Sequence, residues 1–151
     1  MKPRTRARSV ALQALYEIDL SGHQIGEVLE ARFNMVELSL ELQDFASTIV
    51  RGVIPIKEIL DSHIAEHAPE WPIDQISVID RNLLRIALWE FAVQQTTPLK
   101  VAINESVELA KLFGSDSSPR FVNGVLGSLA AQENTLRQSL QNSIKNTPQT
   151  D

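Results

Sequence analysis

The amino-acid sequence predicts an all-α protein. Apolar residues recur at spacings of three and four along the 151-residue chain, whereas stretches that alternate apolar and polar residues are nearly absent. Prolines and glycines divide this pattern into segments of ordinary helix length. We therefore expect about seven helices.

The first predicted helix runs from Pro3, a residue tolerated in a first helical turn, to Leu20, where Ser21-Gly22 ends it. Its inward stripe is apolar and consists of Val10, Ala11, Ala14, Leu15 and Ile18. Its outward face is expected to combine a cation with an aromatic residue, through Arg6, Ser9, Gln13 and Tyr16.

The second helix is predicted at about 24–33, the third begins at about Ser39, and the fourth ends at about His67. Gly52 and Pro55 separate the last two. Because proline lacks an amide donor and clashes with the preceding turn, we expect a kink or a restart there.

The last three helices are predicted at 77–94, 98–113 and 118–131. The first has almost no wholly polar side, which is typical of a central helix covered by its neighbours. The second is expected to turn Val101, Ile103, Val107, Ala110 and Leu112 inward. Ser118 is the expected N-cap of the third, with Pro119 at its first position.

The formal net charge of −5 is unevenly distributed. Residues 1–16 carry +4, residues 17–74 carry −9, and residues 75–151 are balanced. The N-terminal cations are Lys2, Arg4, Arg6 and Arg8. A basic arm of this kind is either a contact for nucleic-acid phosphates or a solvated terminus, and charge alone leaves both open.

Composition excludes several classes of protein. The chain has no cysteine, which removes disulfides, thiol nucleophiles and cysteine-based zinc sites. No apolar run approaches the roughly 18 residues of a membrane span, and the N-terminus lacks a signal-peptide core. We expect a cytoplasmic protein.

One motif has the form of a catalytic site. His63-Ile64-Ala65-Glu66-His67 matches the H-x-x-E-H pattern of inverted zinc peptidases, in which two histidines on one helix face hold the metal. The surrounding acidic helix and the lack of a third-ligand helix favour an exposed polar face instead. With no phosphate-binding or nucleophile motif, we expect neither an enzyme nor a cofactor or metal.

Three stretches carry a family resemblance. They are Arg6 to Tyr16, Arg81 to Glu90, and the run PLKVAINESVELAKLFGSDSSPRFVNGVL from Pro98 to Leu126. Their combined order and spacing are specific. The chain resembles the NusB family over about residues 3–130.

The resemblance implies a single helical domain at 1–135 made of two small packed bundles, about 1–70 and 71–135. A polar, partly disordered tail is expected at 136–151. It also implies a transcription antitermination factor. Members of the family pair with the ribosomal protein NusE, bind boxA-type RNA in nascent ribosomal RNA, and promote read-through by RNA polymerase with other Nus factors.

The resemblance assigns roles to residues that match its motifs. Those implied to bind RNA are Lys2, Arg4, Arg6, Arg8, Arg120, Phe121 and Asn123. Those implied to bind NusE are Tyr16, Asp80 and Arg81. Asp116, in the loop beside the RNA-facing helix, is expected to tune binding by repelling phosphate.

Three other interpretations remain at this point. The chain could be a NusB-like RNA-binding module related to that of ribosomal RNA methyltransferases, although nothing after residue 135 could form a methyl-donor-binding sheet. It could be a zinc hydrolase, or a helical adaptor without an RNA role. Homodimer formation through the RNA-facing surface is also left open.

Overall fold

The computed structural model describes residues 1–146 and confirms the all-α prediction. It contains eight α-helices: α1 (Pro3–Ser21), α2 (Ile25–Met35), α3 (Leu40–Val53), α4 (Lys57–Glu66), α5 (Val78–Leu88), α6 (Leu99–Phe113), α7 (Ser118–Ala130) and α8 (Glu133–Lys145). No helix formed by residues 1–146 combines the length and apolarity that a membrane span needs. The chain divides into two units, one at Met1–Pro55 and one from Ile56 onward.

The first unit is a three-helix arrangement in which α1 packs against α2 and α3. Burial of apolar side chains holds it together, among them Leu12, Leu15, Val28, Ile49 and Val50. Local signals set the helix ends. Gly22 follows α1 in the left-handed conformation at φ 71°, and the Ser39 hydroxyl caps α3 by accepting from the amide of Leu42.

The interruption predicted at Pro55 is confirmed. Ile54–Ile56 forms a short 3₁₀ turn between α3 and α4, and the two units divide there. This boundary differs from the one expected near residue 70, because α4 packs against α5 and α8 of the second unit. The proline marks the division more closely than the later pair Pro69 and Pro72.

The second unit is built around α5, which packs against α4, α6 and α7. Eight of its eleven residues are buried, which agrees with the prediction of a central helix covered by its neighbours. It continues directly into a π-helical segment, Trp89–Gln94, which ends where Gln95 adopts φ 62°. Glu90, which is buried in this segment, is paired: its Oε1 accepts from the Thr97 hydroxyl at 2.9 Å.

The predicted inward face of α6 is confirmed at Ala110, which is buried, and is wrong at Val101 and Leu112, while Ile103 and Val107 are half-buried. The side chains of Val101 and Leu112 are 41% and 59% exposed, and the buried residues are Ala102, Ser106, Leu109 and Ala110. Ser106 can be buried because its hydroxyl donates to the backbone oxygen of Leu83 at 2.9 Å. This hydrogen bond joins α6 to α5.

The eighth helix lies where a polar tail was expected. Leu136 and Leu140 recur four residues apart and are buried, and α8 packs against α4, α7 and the π-helical segment. Arg137 donates to the backbone oxygen of Phe91 at 3.1 Å. Residues 136–145 are therefore helical, and the remaining part of the predicted tail, 147–151, lies outside the described residues.

Candidate functional site

Three of the four N-terminal cations are exposed. Lys2 precedes α1, and Arg4 and Arg6 project from its first turns. The guanidinium carbon of Arg4 lies 5.1 Å from the centroid of the Phe45 ring on α3. Arg6 donates to the backbone oxygen of Glu37 at 3.4 Å. These contacts leave positive charge at the surface, where phosphates could reach it.

Arg8 departs from the predicted arm. It is only 3% exposed, and its guanidinium carbon lies 5.1 Å from the same Phe45 ring. Ser9, expected on the outward face, is also buried and donates its hydroxyl hydrogen to the backbone oxygen of Arg6 at 2.7 Å. The side chain of Arg8 therefore belongs to the packing between α1 and α3, which leaves it little access to an RNA phosphate.

Tyr16 lies further along α1 and is 38% exposed. The segment around it is fixed by Arg32 of α2, which donates to Gln13 Oε1 and to Glu17 Oε1, both at 3.1 Å. An aromatic ring half in solvent on a rigid helix suits a protein or RNA contact. Its assignment to NusE stays a prediction.

The junction between α6 and α7 positions the second predicted group. A Cβ at Gly114 would collide with the Ser118 side chain and lie 2.9 Å from the backbone oxygen of Ala110, so glycine is needed for this close approach. Ser118 was the expected N-cap, but it is the first residue of α7 and is buried. Its hydroxyl instead accepts from the Ser115 amide at 2.9 Å.

Arg120 and Phe121, in the first turn of α7, line two cavities together with Trp71. The cavities measure about 450 and 320 Å³. Arg120 is exposed, Phe121 is half-buried, and Trp71 is 51% exposed. We call these three residues the aromatic–cation surface. Exposed aromatic rings beside a guanidinium are suited to stacking on bases and pairing with phosphates.

Asn123 and Asp116 lie close in sequence to this surface and are both exposed. Asn123 is three residues after Arg120, which places the two on one face of α7. Asp116 lies in the loop before α7 and does not line either cavity. Its role in repelling phosphate stays a prediction.

Asp80 and Arg81, predicted to bind NusE, are less accessible than expected. Asp80 is 7% exposed and lines the larger cavity with Arg120 and Phe121. Arg81 is half-buried and donates to the backbone oxygen of Ile76 at 3.1 Å. The structure thus brings into one cavity residues that the family resemblance divides between two partners.

The histidines of the H-x-x-E-H motif are engaged in packing contacts. His63 Nδ1 lies 2.9 Å from the backbone oxygen of Ile59 and Nε2 lies 3.1 Å from Ser139 Oγ, while His67 Nδ1 lies 2.8 Å from Ser128 Oγ. The contacts with Ser139 and Ser128 connect this part of the chain to α8 and α7, whereas the contact with Ile59 lies within α4. Within residues 1–146, no group of three or more His, Asp or Glu side chains could hold a metal ion.

Sequence reasoning missed Trp71. Its position between Pro69 and Pro72 marks a loop, and an aromatic residue in a loop has no helical core to join. Its partners Arg120 and Phe121 are about fifty residues away in sequence, so periodicity could not reveal the cluster. A larger cavity, about 620 Å³ along α8, has amide and hydroxyl side chains only and offers neither a charge nor an aromatic ring.

The fold and this surface define an all-α protein whose exposed cations and aromatic rings suit a nucleic-acid partner. The NusB family model matches residues 5–131. The chain is 45% identical over 127 residues to the transcription antitermination protein NusB of Dehalococcoides mccartyi, covering 84% of this chain and 89% of that protein. The chain belongs to the NusB family.

Solved structures agree with this assignment. Thermotoga maritima NusB superimposes with a TM-score of 0.79 at 28% identity, over 87% of this chain and 93% of that one. A crystal structure of the antitermination factors NusB and NusE in complex with dsRNA gives a TM-score of 0.78 at 26% identity, over 87% and 98% of the two chains.

Proposed function

We propose that this protein is a transcription antitermination factor that binds boxA-type RNA in nascent ribosomal RNA together with NusE, and so promotes read-through by RNA polymerase. Membership of the NusB family, whose relatives carry that name, supports the proposal. A similar chain crystallised with NusE and dsRNA supports the choice of partners. The observation that carries the proposal is the aromatic–cation surface.

RNA binding is assigned to the exposed cations of each unit. Arg120 offers a guanidinium fork for phosphate or base edges, and Phe121 and Trp71 offer stacking faces. Asn123 extends this group along α7. In the first unit, Lys2, Arg4 and Arg6 supply phosphate contacts, whereas the burial of Arg8 gives it a structural role.

NusE binding is assigned to Tyr16, to Asp80 and to the exposed part of Arg81. Tyr16 has the open aromatic ring that a protein interface commonly uses. The protein would act by assembly, because each partner positions the other and tightens the complex without a chemical step. We accordingly infer no catalysis and no cofactor.

The wider assignments follow from this function. An antitermination factor acts on the elongating polymerase, so we infer that it joins other Nus factors in that complex and works in the cytoplasm. A homodimer that uses the RNA-facing surface would compete with RNA. The methyltransferase-related alternative gains no support from the relatives named above, which are antitermination proteins.

A salt titration tests RNA binding directly. For single-stranded RNA, the logarithm of the association constant falls as the logarithm of the salt concentration rises, with a slope of about −0.7 for each phosphate that the protein neutralises. For boxA-type RNA we expect a clearly negative slope, measured by fluorescence anisotropy. The Arg6→Ala variant should bind more weakly and show a slope shallower by about 0.7.

Arg8→Ala is the matched control for this titration, because it removes the same charge from the same helix. Since Arg8 is buried against Phe45, the variant should lose stability in thermal unfolding while its salt slope stays that of the unmodified protein. RNA binding that does not respond to salt would contradict the proposed function. A loss of helical circular dichroism in Arg6→Ala would contradict the placement of Arg6 at the surface.

A further inference from the structure

One aromatic ring of α3 contacts two arginines of α1. Phe45 is half-buried, and the guanidinium carbons of Arg4 and Arg8 each lie 5.1 Å from the centroid of its ring. Both distances fall within the roughly 6 Å over which an aromatic face attracts a cation. Arg8 is buried beside the ring, whereas Arg4 is exposed. Phe45 therefore packs against one arginine and holds a second at the surface.

We propose that Phe45 is a positioning residue for RNA binding: its ring holds the guanidinium of Arg4 in place for a phosphate of the RNA backbone. Phe45 acts through Arg4 and does not itself contact the RNA. This inference rests on the proposed RNA-binding function and adds to it a residue of α3, a helix to which the family resemblance assigns no role.

The contact with the ring leaves the hydrogen-bond donors of Arg4 unused. A carboxylate partner would occupy some of those donors and balance the charge. Although α3 carries Glu41 and Asp44, no carboxylate within residues 1–146 pairs with Arg4, and no acceptor there takes its N–H groups. The guanidinium is thus fixed through its attraction to the ring, with its N–H groups available to phosphate oxygens.

The position of Arg4 in α1 makes support from Phe45 valuable. Arg4 lies in the first turn of the helix, and this turn has no acidic residue. The N-terminus of a helix carries a partial positive charge, which disfavours a cation and favours an anion. In the free protein, attraction to the negative face of the Phe45 ring offsets part of that repulsion. A phosphate bound by Arg4 would be favoured by both the guanidinium and the helix end.

Holding Arg4 in advance should also strengthen binding for an entropic reason. A free arginine side chain loses conformational freedom when it binds a phosphate, and this loss weakens the complex. The ring of Phe45 already restricts the side chain before RNA arrives, so less freedom is lost on binding. Removing the ring should therefore weaken RNA binding even though the charge of Arg4 remains.

The first test compares ring and non-ring variants of the full chain, with affinity for boxA-type RNA measured by fluorescence anisotropy. Phe45→Leu keeps an apolar side chain without a ring and should bind RNA about 2- to 5-fold more weakly, the effect of one cation–π contact at the surface. Phe45→Tyr keeps the ring and should restore the affinity. Phe33→Leu is the matched control and should leave it unchanged, because Phe33 is half-buried in the same unit and no guanidinium of residues 1–146 lies over its ring.

A double-mutant cycle separates positioning from packing, since Phe45 also contacts Arg8. Arg4→Ala should weaken RNA binding and make the salt slope shallower by about 0.7. If Phe45 acts through Arg4, then adding Phe45→Leu to Arg4→Ala should cause no further loss of affinity. The same loss in both backgrounds would overturn the inference, because Phe45 would then act through packing alone.

Arg4→Ala alone gives a result that a folding defect does not obscure, because Arg4 is exposed. An unchanged RNA affinity in this variant would overturn the inference and leave the proposed function to the other cations and to Phe121. An unchanged affinity in Phe45→Leu would overturn it as well. Failure of the unmodified protein to bind boxA-type RNA, with or without NusE, would overturn the proposed function itself.

Discussion

Asp61→Ala is expected to lower the free energy of unfolding by about 3–5 kcal/mol, the range for removing one partner of a buried ion pair. Arg85 of α5 donates to both carboxylate oxygens of Asp61 on α4, from Nε and Nη2, each at 2.6 Å. The Arg85 side chain is 4% exposed. Without Asp61, the positive charge of Arg85 would remain buried without the carboxylate that now balances it. Urea unfolding followed by circular dichroism measures the loss.

The pair Lys111 and Glu108 provides the control. Its atoms approach to 3.1 Å on α6, but the side chains are 57% and 62% exposed. Because solvent screens such a pair, Glu108→Ala should cost no more than about 0.5 kcal/mol. Equal effects of the two substitutions would contradict the view that the link between α4 and α5 is a principal support of the second unit.

Phe121→Ala is expected to weaken binding of boxA-type RNA by about 5- to 150-fold, which corresponds to roughly 1–3 kcal/mol for the loss of one stacked base. Phe121 is half-buried on α7 and lines both cavities beside Trp71. Anisotropy titration measures the affinity. Trp71 fluorescence offers an independent signal, because Trp71 is 51% exposed whereas Trp89 is 6% exposed.

Phe33→Ala is the matched control for Phe121→Ala. Phe33 is also a half-buried phenylalanine that lines a cavity, but it belongs to the first unit and has no role in the proposed RNA site. It should leave RNA affinity within about twofold. If both variants lose affinity equally while remaining helical, the effect is not specific to stacking at Phe121, and the assignment fails.

The helices could be predicted from the sequence because their signals are local. The spacing of apolar residues and the positions of glycine and proline located α1 to α7. The eighth helix was missed because only two large apolar residues, Leu136 and Leu140, form its buried face among many amides and hydroxyls. The inward face of α6 was misjudged because apolar residues occupy more than one side and Ser106 is buried through its bond to Leu83.

The candidate site was harder to predict because its geometry depends on residues distant in sequence. Counting charge could not separate Arg6 from Arg8, since the burial of Arg8 depends on Phe45, which α3 supplies. Likewise, Asp80 shares a cavity with Arg120 only through the packing of α5 against α7. The family resemblance identified these residues, but the structure was needed to show which of them lie together.

The most direct test of assembly with RNA and NusE is the affinity for boxA-type RNA, measured with this protein alone and with NusE present. We expect NusE to tighten RNA binding about 5- to 150-fold, the usual range of coupling between two sites. Tyr16→Ala should reduce this tightening and leave the affinity of the protein alone unchanged. An RNA affinity that is the same with and without NusE would contradict the account.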